Sequence, residues 1–78
     1  MKRKKNYIRK EEELQAFGKH LRAIRKRKNM TLETLAALSE IEYSQVSRIE
    51  RGVINTSLSN VFVLAEALEV TYKDLFDF

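Results

Sequence analysis

Ser44, Ser47, Arg48 and Arg51 follow one another at i, i+3, i+4 and i+7. On a helix that spacing sets all four on one face. Short hydroxyls beside forked guanidinium groups suit hydrogen bonding to base edges and phosphate oxygens. Arg48 is the strongest reader of the four, since an arginine bidentate to guanine O6 and N7 is worth roughly 1–3 kcal/mol of discrimination. The plainer alternative for Arg48 is a solvated side chain paired with an acid one turn away. For the serines it is a merely small polar surface. Little else in the chain offers chemistry. Cys is absent, which excludes disulfides and thiolate metal sites. The single His, His20, has no acidic, Ser or Cys partner placed by any motif. The expectation is therefore no enzyme, no metal, no cofactor and no small-molecule ligand.

The charge distribution also points to an anionic partner. The 78 residues carry a formal net charge of +4, but residues 1–30 hold 12 basic and 3 acidic side chains and residues 31–78 hold 3 and 8. Such asymmetry fits nucleic acid or an acidic membrane. A membrane-surface role is disfavoured because Leu14, Phe17, Leu21 and Ile24 of the basic half are needed for a core. No apolar run approaches the ~18 residues of a membrane span, and Glu11-Glu12-Glu13 interrupts the basic start before any signal-type apolar segment. A cytoplasmic protein is expected. A chain of this length makes one domain at most. It leaves no room for a sensor domain, so control by concentration, dimerisation or a protein partner is expected.

The elements that would position the polar face are all helical. Pro is absent and Gly occurs twice, while apolar residues recur at helical spacing. Residues 1–10 read as a basic flexible arm, either a solvated tail or a segment that tracks phosphates. The domain proper spans 11–78. A first helix runs from Glu11 to Lys28, with Leu14, Phe17, Leu21 and Ile24 as its apolar stripe and Asn29 as a left-handed terminator. Thr31 caps a second helix ending near Ser39, with Leu32, Leu35, Ala36 and Leu38 as its apolar content. A third runs from Tyr43 to Arg51, where Gly52 stops it. Ser57 caps a fourth over 58–68, with Leu58, Val61, Leu64, Ala65 and Leu68 at core spacing. Thr71 caps a last short helix to Phe76. In the second and third helices, Ala36 is small where they cross, Ile41 plugs the turn, and Val46 and Ile49 face inward.

At these residues the chain resembles the helix-turn-helix family of phage Cro and repressor proteins, the XRE family. The resemblance is carried by FGKHLRAIRKRK (17–28), T-x-x-x-L-A (31–36), SRIERG (47–52), LAEALEV (64–70) and DLF (74–76). It implies a compact five-helix, lambda-repressor-like all-α fold and a two-fold dimer on a roughly palindromic DNA operator. The third helix would be the recognition helix. It places base contacts on Tyr43, Ser44, Ser47 and Arg48. It places phosphate contacts on Leu32, on Arg51 and on the loop Ile54, Asn55 and Thr56; Lys28 joins them from the basic half. It makes Arg25 and Glu50 a buried structural ion pair. Tyr43 would reach a phosphate, stack on a thymine methyl, or pack under the arm.

Four positions depart from the family pattern. Glu40 stands where the turn usually has Gly, Glu42 where a better cap is usual, Leu32 where Gln is frequent, and Glu69 where Gly usually follows the fourth helix. Glu33, Glu40 and Glu42 put carboxylates near the expected DNA face, so phosphate affinity is expected to come from the basic half. The candidates are Lys2 to Lys5, Arg9, Lys10, Arg22, Lys26 and Lys28. The apolar surplus at Phe62, Val63, Phe76 and Phe78 predicts a homodimer surface. A protein-interaction module of the same fold, antitoxin-like or binding the transcription machinery, is the competing function.

Overall fold

The computed structural model describes residues 9–78. Five helices follow in order: α1 (Glu11–Arg27), α2 (Leu32–Ser39), α3 (Tyr43–Glu50), α4 (Leu58–Leu68) and α5 (Tyr72–Leu75). No strand occurs among the described residues. Of the arm expected over 1–10, residues 1–8 lie outside the described residues.

Local chemistry accounts for the boundaries. Thr31, Ser57 and Thr71 each turn a side-chain oxygen onto the N–H three residues on. Each such cap is worth about 1 kcal/mol over Ala. At α5 the cap is reciprocal, because the Asp74 carboxylate also accepts from the Thr71 N–H at 2.9 Å. The acidic first turn and basic last turn of α1 both complement its dipole. At the other ends, Asn29, Glu40 and Glu69 take left-handed backbone with φ of 55°, 55° and 57°. Asn tolerates that region; for Glu it costs on the order of 1 kcal/mol. The α1 and α3 helices each end one residue earlier than expected, with Lys28 and Arg51 as their C-caps. Phe76 likewise caps α5 rather than extending it.

The helices pair as α1 with α3, α2 with α3 and α4, and α5 with α1 and α4. Leu21, Leu35, Val46, Leu64, Leu68 and Leu75 are fully buried at the centre. Ala36 and Ile41 are buried at the α2–α3 crossing and turn. Three expected core residues are not in the core: Leu14 on α1 is only half-buried and lies outside the buried cluster, and the other two are exposed. Leu58 opens α4 at its first turn and is 66% exposed, and Leu38 lies on the outer face of α2 at 58%. Leu38 is out of phase with Leu35, Ala36 and Ser39, the buried face of α2, and Leu58 stands at the very start of α4. Phe76 and Phe78 fold back on α1, their ring centroids 5.4 and 6.3 Å from that of Phe17. The His20 Nε2 sits 2.7 Å from the Asp74 carbonyl oxygen and its ring lies against Phe78, which closes the C-terminal end onto α1.

Candidate nucleic-acid interface

The α3 helix divides cleanly between two environments. Val46, Ile49 and Glu50 are buried, while Tyr43, Ser44, Arg48 and the C-cap Arg51 are exposed and Ser47 is half-buried. Arg48 and Arg51 enter no ion pair with any described residue. Both guanidinium groups therefore keep their donors for an external acceptor.

Two contacts fix the angle at which this face is presented. The first is electrostatic. Arg25 on α1 makes a two-pronged pair with Glu50, Nε to Oε2 at 2.7 Å and Nη2 to Oε1 at 3.0 Å. Its remaining nitrogen, Nη1, donates to the Met30 carbonyl at 2.9 Å. One guanidinium thus ties α1, the α1–α2 turn and α3 together. The Glu50 carboxylate holds the Arg25 pKa above its ordinary value, against the opposing effect of burial. No buried side-chain polar atom among the described residues lacks a partner.

The second contact is steric. A Cβ placed on Gly18 would stand 2.4 Å from the Glu50 carbonyl oxygen and 2.5 Å from that of Ile49. Only glycine lets the α1 backbone approach the C-terminal turn of α3 so closely. Sequence reasoning missed this role, although a glycine inside an otherwise strong helix costs about 1 kcal/mol and so signals a packing need. Gly52, at φ 71°, repeats the device after α3. A Cβ there would meet the Gln15 backbone at 2.5 Å.

The flanking residues form a rim around α3. Leu32 is half-buried at the first position of α2, where the first intrahelical bond runs from Leu35 N–H to the Thr31 carbonyl. The N–H groups of Leu32 and Glu33 precede that bond at the positive end of the dipole, a placement suited to a phosphate. Lys28 is exposed at the α1 C-cap. Beyond Arg51 the loop exposes Asn55 and leaves Thr56 half-buried, its hydroxyl accepting from Asn60 Nδ2 at 2.9 Å. Glu42, the α3 N-cap, makes no side-chain cap hydrogen bond. Glu33, Glu40 and Glu42 are all exposed. Phe62 and Val63 lie apart from this rim, on α4. Phe62 packs edge-to-face on Tyr72 at 5.6 Å, and both rings remain about half exposed.

Comparison with known proteins matches this geometry to one family. A model described as helix-turn-helix matches residues 21–75. The control protein C.BamHI of Bacillus amyloliquefaciens is 44% identical over 63 residues, 80% of this chain and 78% of that one. The HTH-type transcriptional repressor RghR of Bacillus subtilis is 35% identical over 63 residues, 80% of this chain but 47% of its own length. Among solved structures, the restriction-modification controller protein C.AhdI from Aeromonas hydrophila superposes with a TM-score of 0.82 at 43% identity. That match covers 83% of this chain and 98% of the other. The clp gene regulator ClgR from C. glutamicum gives 0.77 at 30% identity, over 81% and 82% of the two chains.

Proposed function

The chain belongs to the helix-turn-helix family of XRE type and is a DNA-binding transcriptional regulator, and from this premise we propose that it reads a specific operator through α3 as a homodimer. The observation that carries the reading is the outward face of α3, where Tyr43, Ser44, Ser47 and Arg48 stand clear of the core while Arg25 and Gly18 hold the opposite face. A helix so presented fits the ~12 Å major groove. Arg48 reads guanine. Tyr43, Ser44 and Ser47 contact bases or adjacent phosphates. Leu32 through its N–H, Lys28, Arg51, Asn55 and Thr56 grip the backbone on both sides. The likeness to two controller proteins supports a controller role, in which the amount of regulator sets the output.

A single domain of this size covers one half-site, and two half-sites one helical turn (about 34 Å) apart require a second copy. Phe62 and Tyr72, with the half-buried Val63 beside Phe62 on α4, supply the apolar surface for it. Phe76 and Phe78 contribute only their outer faces, because Phe17 takes the inner ones. No helix among the described residues is long and apolar enough to cross a membrane, and we assign the protein to the cytoplasm, where its DNA is.

Selection of binding sites from random duplex DNA tests this function. A palindromic consensus is expected, with Arg48→Ala losing preference at one guanine per half-site at a cost of roughly 1–3 kcal/mol. No enrichment, or an unchanged consensus for Arg48→Ala, refutes the assignment. Light scattering at micromolar concentration tests the dimer; a clean monomer mass of 9.2 kDa defeats it. A protein partner is a second reading, supported by one hollow. Met30, Leu38, Val63 and Ala67 line it and Glu40, Glu66 and Glu69 surround it. A complex surviving salt that strips DNA would favour that reading.

A further inference from the structure

The exposed Leu38 has apolar company. With the half-buried Met30, Val63 and Ala67 it floors an open hollow of about 620 Å³ between α2 and α4. The Ser39 hydroxyl also lies in that floor, but it is buried and donates to the Leu35 carbonyl at 2.7 Å. The floor is therefore apolar in effect. Its rim is negative. Glu40, Glu66 and Glu69 border the hollow, all three are exposed, and none enters an ion pair with a described residue. Glu40 and Glu69 are also the C-caps of α2 and α4, where the negative ends of two helix dipoles emerge. Neither helix carries a basic residue in its last turn to offset that charge.

We propose that the hollow between the ends of α2 and α4 is a docking site for a cationic amphipathic helix of a partner protein. This assignment rests on the protein-partner reading and deepens it by naming the partner's chemistry. Charge selects the class first. Three carboxylates and two negative helix ends repel phosphate, which excludes nucleic acid and anionic lipid and favours Lys or Arg. Charge alone would leave Leu38 and Met30 in water, so the occupant also carries apolar anchors. Its backbone is helical. The walls are helices, no strand edge exists among the described residues for an extended segment to pair with, and a helix lays anchors at i, i+3 and i+7 into such a groove. A second copy does not supply that helix. The cationic helix of this chain is α1, but its Phe17, Leu21 and Ile24 are buried in its own core and its outer face offers nothing apolar larger than Ala23. None of the residues assigned to DNA lines the hollow, so DNA and partner can be held together.

The probe is a synthetic helical peptide of about four turns, with leucines along one face and lysines on its flanks. Its controls are the same composition in scrambled order, the same helix with Glu for Lys, and residues 11–28 of this chain as a peptide. Fluorescence anisotropy with the full chain is expected to show the leucine–lysine helix binding at least about tenfold tighter than any control, and weakening as salt rises. Leu38→Ala removes the most exposed apolar side chain of the floor and is expected to weaken binding at least about fivefold. Glu69→Gly removes rim charge and relieves left-handed backbone. It is expected to weaken binding at least about threefold at low salt while raising the melting temperature, so the loss is not one of folding. Both variants are expected to keep the parent's affinity for the duplex it selects. No binding of the leucine–lysine helix overturns the proposal, and so does equal binding of the scrambled peptide. Preference for the 11–28 peptide makes a second copy the occupant and overturns it as well. A helix that binds the parent and both variants alike keeps a protein partner but moves it off the hollow, so this site fails while the partner reading stands. An equal loss of duplex affinity in the variants makes the effect global and overturns the site too.

Discussion

Replacing Gly18 by Ala tests whether α3 is seated by backbone contact. The added Cβ would stand 2.4 Å from the Glu50 carbonyl oxygen, and ordinary contact begins at 3.4 Å. The obstacle is backbone, so it cannot rotate away; the two helices must part by about 1 Å. Forcing a methyl into such a contact costs roughly 1–3 kcal/mol. Against this, removing a mid-helix glycine gains at most about 1 kcal/mol. The net expectation is a stability loss on the order of 1–2 kcal/mol. Ala23→Gly is the matched control, since Ala23 is exposed on the same helix. It loses about 1 kcal/mol through propensity alone and leaves α3 in place. Urea unfolding gives both stabilities, and titration of the selected duplex gives both affinities under conditions where each variant is folded. Only Gly18→Ala is expected to lose specific affinity. Moving α3 by about 1 Å spoils the two-pronged geometry of Arg48, worth roughly 1–3 kcal/mol, or about tenfold to a hundredfold. A Gly18→Ala protein that is more stable than the parent and binds the same duplex as tightly would refute the reasoning.

Arg25→Ala strands the buried Glu50 carboxylate and is expected to cost about 3–5 kcal/mol by urea unfolding, a large share of the stability a domain this small can have. The double replacement Arg25→Met with Glu50→Leu is expected to recover most of it, because neither charge is then left alone. Glu40→Gly and Glu69→Gly relieve left-handed backbone and should each raise the melting temperature by about 4–8 °C, equivalent to ~1 kcal/mol; no rise at either position would contradict the strain argument. The Thr71 N–H, and after it the Thr71 hydroxyl, hold the Asp74 carboxyl below its ordinary value. A depressed folded-state pKa contributes stability in full above the unfolded value of about 3.9 and loses it as pH falls through the folded value. Asp74→Asn should therefore melt below the parent near neutral pH, and the gap between their melting curves should close as pH falls through that folded value.

The elements were legible because their signals are local. Thr31, Ser57 and Thr71 precede apolar repeats, and the cap geometry at each involves residues three apart. Helical spacing likewise placed Leu21, Leu35, Val46 and Leu64 inward. It overreached at Leu14 and Leu58, near the starts of α1 and α4, since periodicity specifies which side of a helix a residue occupies but not whether another element covers that side, and Leu38 is out of phase with the buried Leu35 and Ala36. The candidate site was legible as a polar face for the same local reason. Its supports were not. The pairing of Arg25 with Glu50 is invisible to spacing and entered only through the family resemblance. Neither the approach of Gly18 to Glu50 nor the reach of Arg9 to the Val53 carbonyl left a local mark beyond an uneconomical glycine and one more basic residue. The inward turn of Phe76 and Phe78 is a long-range choice too, made by Phe17 some sixty residues away.

The division of α3 into a held side and a free side has a consequence for divergence. Its seat depends on Gly18, Arg25, Val46 and Ile49, and none of these faces outward. Exposed substitutions away from such features usually change stability by no more than about 0.5 kcal/mol. Tyr43, Ser44 and Arg48 can therefore be exchanged, singly or together, with little effect on whether the chain folds. A duplicated copy could drift to a new operator in a few steps without passing through an unfolded intermediate, so two such regulators can part company within one genome.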